Sequence, residues 1–110
     1  VSADTRLAAY GTLAPGRKHA DQLAGLSGRW IAGHVRGHLT VIPSGPAHGY
    51  PGLTLDTLAD PVPVQLFQSP DLPDHWGRLD RFEGPAYLRV IAEVITDQGR
   101  LSAFLYALRA

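Results

Sequence analysis

His75-Trp76-Gly77-Arg78-Leu79-Asp80-Arg81-Phe82-Glu83-Gly84-Pro85-Ala86-Tyr87-Leu88-Arg89-Val90-Ile91-Ala92-Glu93-Val94-Ile95 reads as a short helix running into a strand. Trp76, Leu79 and Phe82 recur every three residues, which lays them along one helical face. Gly84 stands where a helix ends on glycine, and Pro85 stops it from resuming. From Ala86 to Ile95 the β-branched residues take over, so the helix His75–Glu83 gives way to a strand. Asp97-Gln98-Gly99 is a short hairpin turn, and residues 101–108 return as the partner strand.

Working back towards the N-terminus, residues 69–74 supply turn and cap chemistry, with Asp71 or Asp74 as the N-cap. Residues 62–68 form a strand, and Pro63 places that strand at an edge or puts its start there. Residues 53–58 make a short strand. The segment from Pro43 to Gly52 holds three Pro and three Gly, so it is loop. Residues 30–42 alternate as one long strand, with Gly33 and Gly37 permitting bends. Residues 18–26 form a short helix bearing Ala20, Leu23 and Ala24 on one face. Residues 12–17 are loop, and Arg6 to Tyr10 is a buried first strand followed by Gly11. The sum is about six strands with one or two short helices. Strands and helices do not alternate regularly, which favours an α+β fold or a small barrel over a doubly wound sheet.

The 110 residues are expected to form a single domain, 1–110. The formal net charge is zero, which argues against a nucleic-acid partner and against a polybasic membrane patch. With no cysteine, thiolate metal sites, disulfides and Cys nucleophiles are excluded. No apolar run reaches the ~18 residues of a membrane span. The opening Val1-Ser2-Ala3-Asp4 is not a signal peptide, and a cytoplasmic protein is expected. His34 and His38 share a strand face but stand ~13 Å apart at ~3.3 Å per residue, too far to hold one metal ion, so no metal site is expected. His19, His48 and His75 read as solvated.

Glu83 is the residue with chemistry. It lies four residues after Leu79, on the apolar face, and in the last helical turn. The helix C-terminus disfavours an anion by ~0.3–1 kcal/mol. Burial beside aromatic rings also raises a carboxyl pKa. Such a carboxyl suits proton transfer near neutral pH. The other reading pairs Glu83 with Arg78, Arg81 or Arg89 at the surface. Asp80, three residues earlier, is the rival acid/base.

Two segments bear on that choice. Tyr10-Gly11-Thr12-Leu13 follows the first strand directly, and Leu79-Asp80-Arg81-Phe82-Glu83-Gly84 is followed by Tyr87-Leu88-Arg89. Together, and in this order, they resemble the γ-glutamylcyclotransferase-like family. That family includes γ-glutamylamine cyclotransferases and an enzyme that removes a γ-glutamyl protecting group during butirosin synthesis. The resemblance covers nearly the whole chain and implies a small mixed β-barrel. It implies that Glu83 is the catalytic glutamate and that Tyr10, Gly11, Thr12 and Leu13 form the substrate-carboxylate loop. Backbone N–H groups after a strand can make an anion site, and Gly11 allows close approach. The implied partner is a small γ-glutamyl substrate, with no cofactor and no metal.

The chemistry fits those positions. A γ-glutamyl group carries its own nucleophile, the α-amine, one ring closure from the γ-carbonyl. Holding it folded can supply up to ~7–11 kcal/mol. Glu83 would take the amine's proton and return it to the leaving amine, giving 5-oxoproline. Arg89 is open to pairing with Asp80 or Glu83, and Tyr87 and Tyr106 are open to packing or site roles. One departure from the family pattern is Val64-Gln65-Leu66-Phe67, where relatives often show Gly-Glu-Leu-Tyr. It motivates an alternative, a carboxylate-binding module without turnover. A third reading uses the Pro61–Pro63 edge for protein contacts and requires Glu83 to be blocked or salt-bridged.

Overall fold

A computed structural model describes residues 3–109, so Val1 and Ser2 of the opening segment lie outside it. Six strands run β1 (Arg6–Ala9), β2 (Arg29–Val41), β3 (Pro51–Leu55), β4 (Pro61–Gln68), β5 (Tyr87–Thr96) and β6 (Gly99–Leu108). Two helices join them, α1 (Asp21–Ala24) and α2 (Trp76–Glu83). The sheet order is β3-β2-β4-β1-β6-β5, and β2 meets β5 at His34 and Ile95, which closes a five-strand barrel with β3 as an extra strand. β1 and β6 pair in parallel, and the other pairings are antiparallel. The α+β barrel expected above is therefore the fold.

Alternation along each strand divides the core in two. Ala8, Leu66, Val94 and Leu105 fill the barrel interior. Leu7, Ala9, Phe67 and Tyr106 point the other way and pack under Leu72, Trp76 and Leu79. β1 is thus buried on both faces, which is why it reads as an uninterrupted apolar run. Pro63 has a neighbour on one side: β4 pairs with β2 along its whole length, but β1 joins only from Gln65 onward. The missing N–H of Pro63 therefore costs no ladder bond.

Gly33 sits at the barrel seam. A Cβ there would stand 2.8 Å from the Ile95 carbonyl oxygen and 2.8 Å from Val94 Cγ1. The glycine serves close approach at the closing pair. Gly33→Ala should destabilise the fold by about 1–3 kcal/mol. Thermal unfolding checks this, and an unchanged Tm would show that the seam gives way without cost.

Several local expectations change. α1 is a single turn rather than a helix over residues 18–26. The third strand runs Pro51–Leu55 rather than over residues 53–58. Neither Asp71 nor Asp74 caps α2, whose N-cap is His75 with no side-chain bond. Asp71 instead accepts the Ser27 N–H at 2.8 Å, and the Ser69 hydroxyl accepts the Asp71 N–H at 3.1 Å. The far end of α2 is as expected: Gly84 takes φ 81° and its N–H bonds to Asp80 O. A positive φ of that size suits glycine.

Candidate active site

β1 and α2 end beside each other, and both ends open onto one hollow. Tyr10, Gly11, Thr12 and Leu13 line it together with Glu83, Tyr87 and Tyr106. Its volume of about 30 Å³ is room for roughly one water. A second hollow of about 300 Å³ adjoins it, sharing Thr12, Tyr50, Glu83 and Tyr87. The loop and the glutamate picked out in the sequence thus face one another.

Leu79 and Trp76 anchor α2 in the core, and Glu83, on the same face, reaches the hollow half-buried. Burial pushes its carboxyl up to about 7. Among the described residues no donor bonds to it and no cation pairs with it. The arginines that might have neutralised it are engaged elsewhere or stay exposed. Arg78 bonds to the Gln22 side chain and carbonyl and to His75. Arg89 donates to both oxygens of Asp80, at 2.8 and 3.2 Å, and its guanidinium lies over the Trp76 and Phe104 rings. Arg81 is exposed.

Asp80 is thereby tied up, unlike Glu83. Burial would raise its carboxyl, but the Arg89 bonds and the 2.7 Å bond from the Tyr106 hydroxyl outweigh that and hold it below the usual range. Asp80, Arg89 and Tyr106 form a brace behind the site. Tyr106 also accepts, at its carbonyl, the Tyr10 hydroxyl at 2.5 Å, while Tyr10 in turn accepts the Leu53 N–H. The Tyr87 hydroxyl donates to the Pro51 carbonyl at 2.7 Å, and burial pushes that phenol up to about 12. These tyrosines stay neutral at physiological pH and fix the walls.

The loop opposite has donors to spare. The Gly11 carbonyl accepts the Ala14 N–H, and the Thr12 carbonyl accepts the His19 N–H. The N–H groups of Gly11, Thr12 and Leu13 have no acceptor among the described residues. Three successive free amides beside a hollow can receive a carboxylate or an oxyanion.

His19, read above as solvated, is part of this site. Its Nδ1 is 2.8 Å from Thr12 Oγ1, and its ring meets the edge of Phe82 at 5.0 Å and lies 5.9 Å from Tyr50. The signal was faint because the contacts come from three separate segments. His19→Asn keeps a polar atom near Nδ1, whereas His19→Gln moves it towards Nε2. The Asn variant should keep a Tm close to wild type, while Gln should lose the Thr12 bond, about 0.5–1.5 kcal/mol, and melt a few degrees lower. Equal melting of the two variants would remove the Thr12 contact from consideration. Phe82 also differs from expectation: its ring is 37% exposed at the mouth of the outer hollow rather than packed in the core.

Fold and site together define a small-barrel protein with a half-buried, unpaired carboxyl set against an amide-lined loop. Residues 7–110 match the family model described as "Gamma-glutamyl cyclotransferase, AIG2-like", and the chain belongs to that cyclotransferase-type family. No curated protein sequence matches it. Among solved structures it is similar to YkqA from Bacillus subtilis, with 24% identity and a TM-score of 0.73 over 96% of this chain and 36% of that one. An uncharacterised protein from Pyrococcus horikoshii is 22% identical, with a TM-score of 0.69 over 96% of this chain and 79% of that one. An AIG2-like protein from Mus musculus is 18% identical, with a TM-score of 0.69 over 94% and 76%. At these identities the likenesses show the fold. The chain spans about a third of the length of YkqA. No helix among the described residues is long and apolar enough to cross a membrane.

Proposed function

We propose that this chain cleaves small γ-glutamyl amides by cyclising them, releasing 5-oxoproline and a free amine. The observation that carries this is the pairing of Glu83, half-buried and without a partner among the described residues, with the free amides of Gly11–Leu13 across one hollow. The amides, with the Thr12 hydroxyl, receive the substrate α-carboxylate at the inner hollow, and the rest of the γ-glutamyl group extends into the outer one. Glu83 stands beside the α-amine and removes one proton from its ammonium form. The amine nitrogen then bonds to the γ-carbonyl carbon, and the bond from that carbon to the leaving nitrogen breaks. The proton held by Glu83 moves to the leaving nitrogen, and the second proton shed by the new ring nitrogen follows it through the same carboxylate, so the amine departs as its ammonium ion and the carboxylate is regenerated each turn. A carboxyl poised near 7 can both take and give that proton at neutral pH. Folding the substrate around the loop supplies the intramolecular advantage. Nothing in these steps calls on a cofactor, and the partner is the small-molecule substrate alone, met in the cytoplasm.

The binding-module alternative rests on Val64-Gln65-Leu66-Phe67. Val64, Leu66 and Phe67 are buried in the two cores, Gln65 is exposed, and none of the four lines either hollow. The departure from the family pattern therefore leaves the site walls unchanged. The sheet-edge reading required a blocked Glu83, and Glu83 is open to the hollow.

The test is product identity. Incubation with γ-glutamylethylamide should yield 5-oxoproline and ethylamine in equal amounts, read by proton NMR. Glutamate and ethylamine would mean hydrolysis through bound water, and would overturn cyclisation.

A further inference from the structure

We infer that the other end of the barrel holds a second ligand site, one that takes a phosphate group between Arg6, Gln68 and Arg29. β4 runs between β1 and β2, and the register sets Gln68 opposite Arg6 on one side and opposite Arg29 on the other. The three residues form a row across adjacent strands, which puts the two arginine Cα atoms about 10 Å apart. Strand alternation turns all three to the side taken by Ala8, Leu66 and Ile31, so they stand at the end of the barrel interior. A hollow of about 480 Å³ opens there, lined also by Gln98 and Leu101. Arg6 starts β1 and Tyr10 follows its end, so the hollow lies about 13 Å along the strand from the Glu83 site.

The row offers donors. Arginine cannot accept a hydrogen bond, so the 3.2 Å contact from Arg29 Nε holds the Gln68 side-chain oxygen towards Arg29 and leaves its NH2 to the hollow. Both Nη groups of Arg29 make no bond among the described residues. Arg6 uses Nη1 alone, on the Ser102 carbonyl at 3.0 Å. Neither arginine has a carboxylate partner among the described residues, and no Asp or Glu lines the hollow. Two guanidinium groups turned to one opening repel each other unless an anion lies between them. A tetrahedral phosphate suits that space: its oxygens accept from forks approaching on two sides and from the amide between them. A carboxylate presents only two oxygens, both in one plane. The volume leaves room for a small organic group on the phosphate.

The experiment titrates the full chain with inorganic phosphate and with phenyl phosphate at constant ionic strength. Calorimetry reads Kd, and NMR reads the Gln68 side-chain amide and the arginine Nε–H groups. Both compounds should bind at millimolar concentration or below, with shifts concentrated at Arg6, Gln68 and Arg29. Arg29 is exposed and its side chain bonds only to Gln68, so Arg29→Gln should leave the fold in place and weaken Kd roughly ten- to hundredfold. Arg100→Gln, which removes an exposed arginine paired with Glu93, should leave Kd unchanged. Tighter binding of phenyl phosphate would make a phosphorylated small molecule the occupant, and equal binding would make it phosphate itself; either upholds the site. No saturable binding of either compound, or binding that Arg29→Gln and Arg100→Gln weaken alike, would overturn it and leave the Glu83 site untouched.

Discussion

Glu83→Gln lowers kcat for 5-oxoproline release by about 10²–10⁴-fold, the range a positioned general acid/base contributes. The substitution keeps the shape of the side chain and removes its basicity. It breaks no ion pair or hydrogen bond, since the carboxyl has none among the described residues. KM should change far less than kcat, because the Gly11–Leu13 amides, proposed to receive the substrate carboxylate, are untouched. Steady-state kinetics with γ-glutamylethylamide separate the two parameters. Activity close to wild type would remove Glu83 from the mechanism.

The same substitution stabilises the protein at alkaline pH. Burial raises the Glu83 carboxyl from 4.5 to about 7 in the folded state, so the folded chain holds a proton that the unfolded chain gives up. That contribution to stability is complete below pH 4.5, falls as pH rises towards 7, and is lost above it. At about 1.4 kcal/mol for each pH step, the interval bounds the loss at about 3 kcal/mol. Gln carries no charge and escapes it. Melting curves of Glu83→Gln and wild type should coincide near pH 4.5 and separate by about 10 °C at pH 8. A gap that is the same at both pH values would place the ionised carboxylate in water rather than in the hollow.

Much of this architecture can be read from the chain because it is local. The β5–β6 hairpin follows from two β-rich runs around Asp97-Gln98-Gly99, and the end of α2 follows from Gly84-Pro85. Periodicity says nothing about which distant strands pair. The parallel β1–β6 contact and the closure at His34 and Ile95 join segments far apart in sequence, and only packing decides them. The glycine pattern of β2 pointed to bends; the structure shows that Gly33 is there for close approach.

The site divides in the same way. Helix geometry placed Glu83 and Leu79 on one face, and the structure agrees. A three-residue spacing also put Phe82 on that face, but the helix ends one residue later and the ring lies over the hollow instead of beneath the helix. The contrast between Glu83 and Asp80 was not local. It comes from Arg89 and Tyr106, which lie on β5 and β6 and bond to Asp80 but not to Glu83. His19 escaped notice for a related reason: its partners Thr12, Tyr50 and Phe82 are brought together only by the fold.

The most direct measurement of the central claim is kcat/KM for 5-oxoproline release as a function of pH. The account predicts an acid limb with an apparent pKa of about 7, set by the Glu83 carboxyl, and its disappearance from the residual activity of Glu83→Gln. A limb near 4.5, or one at 7 that persists in the Gln variant, would contradict it.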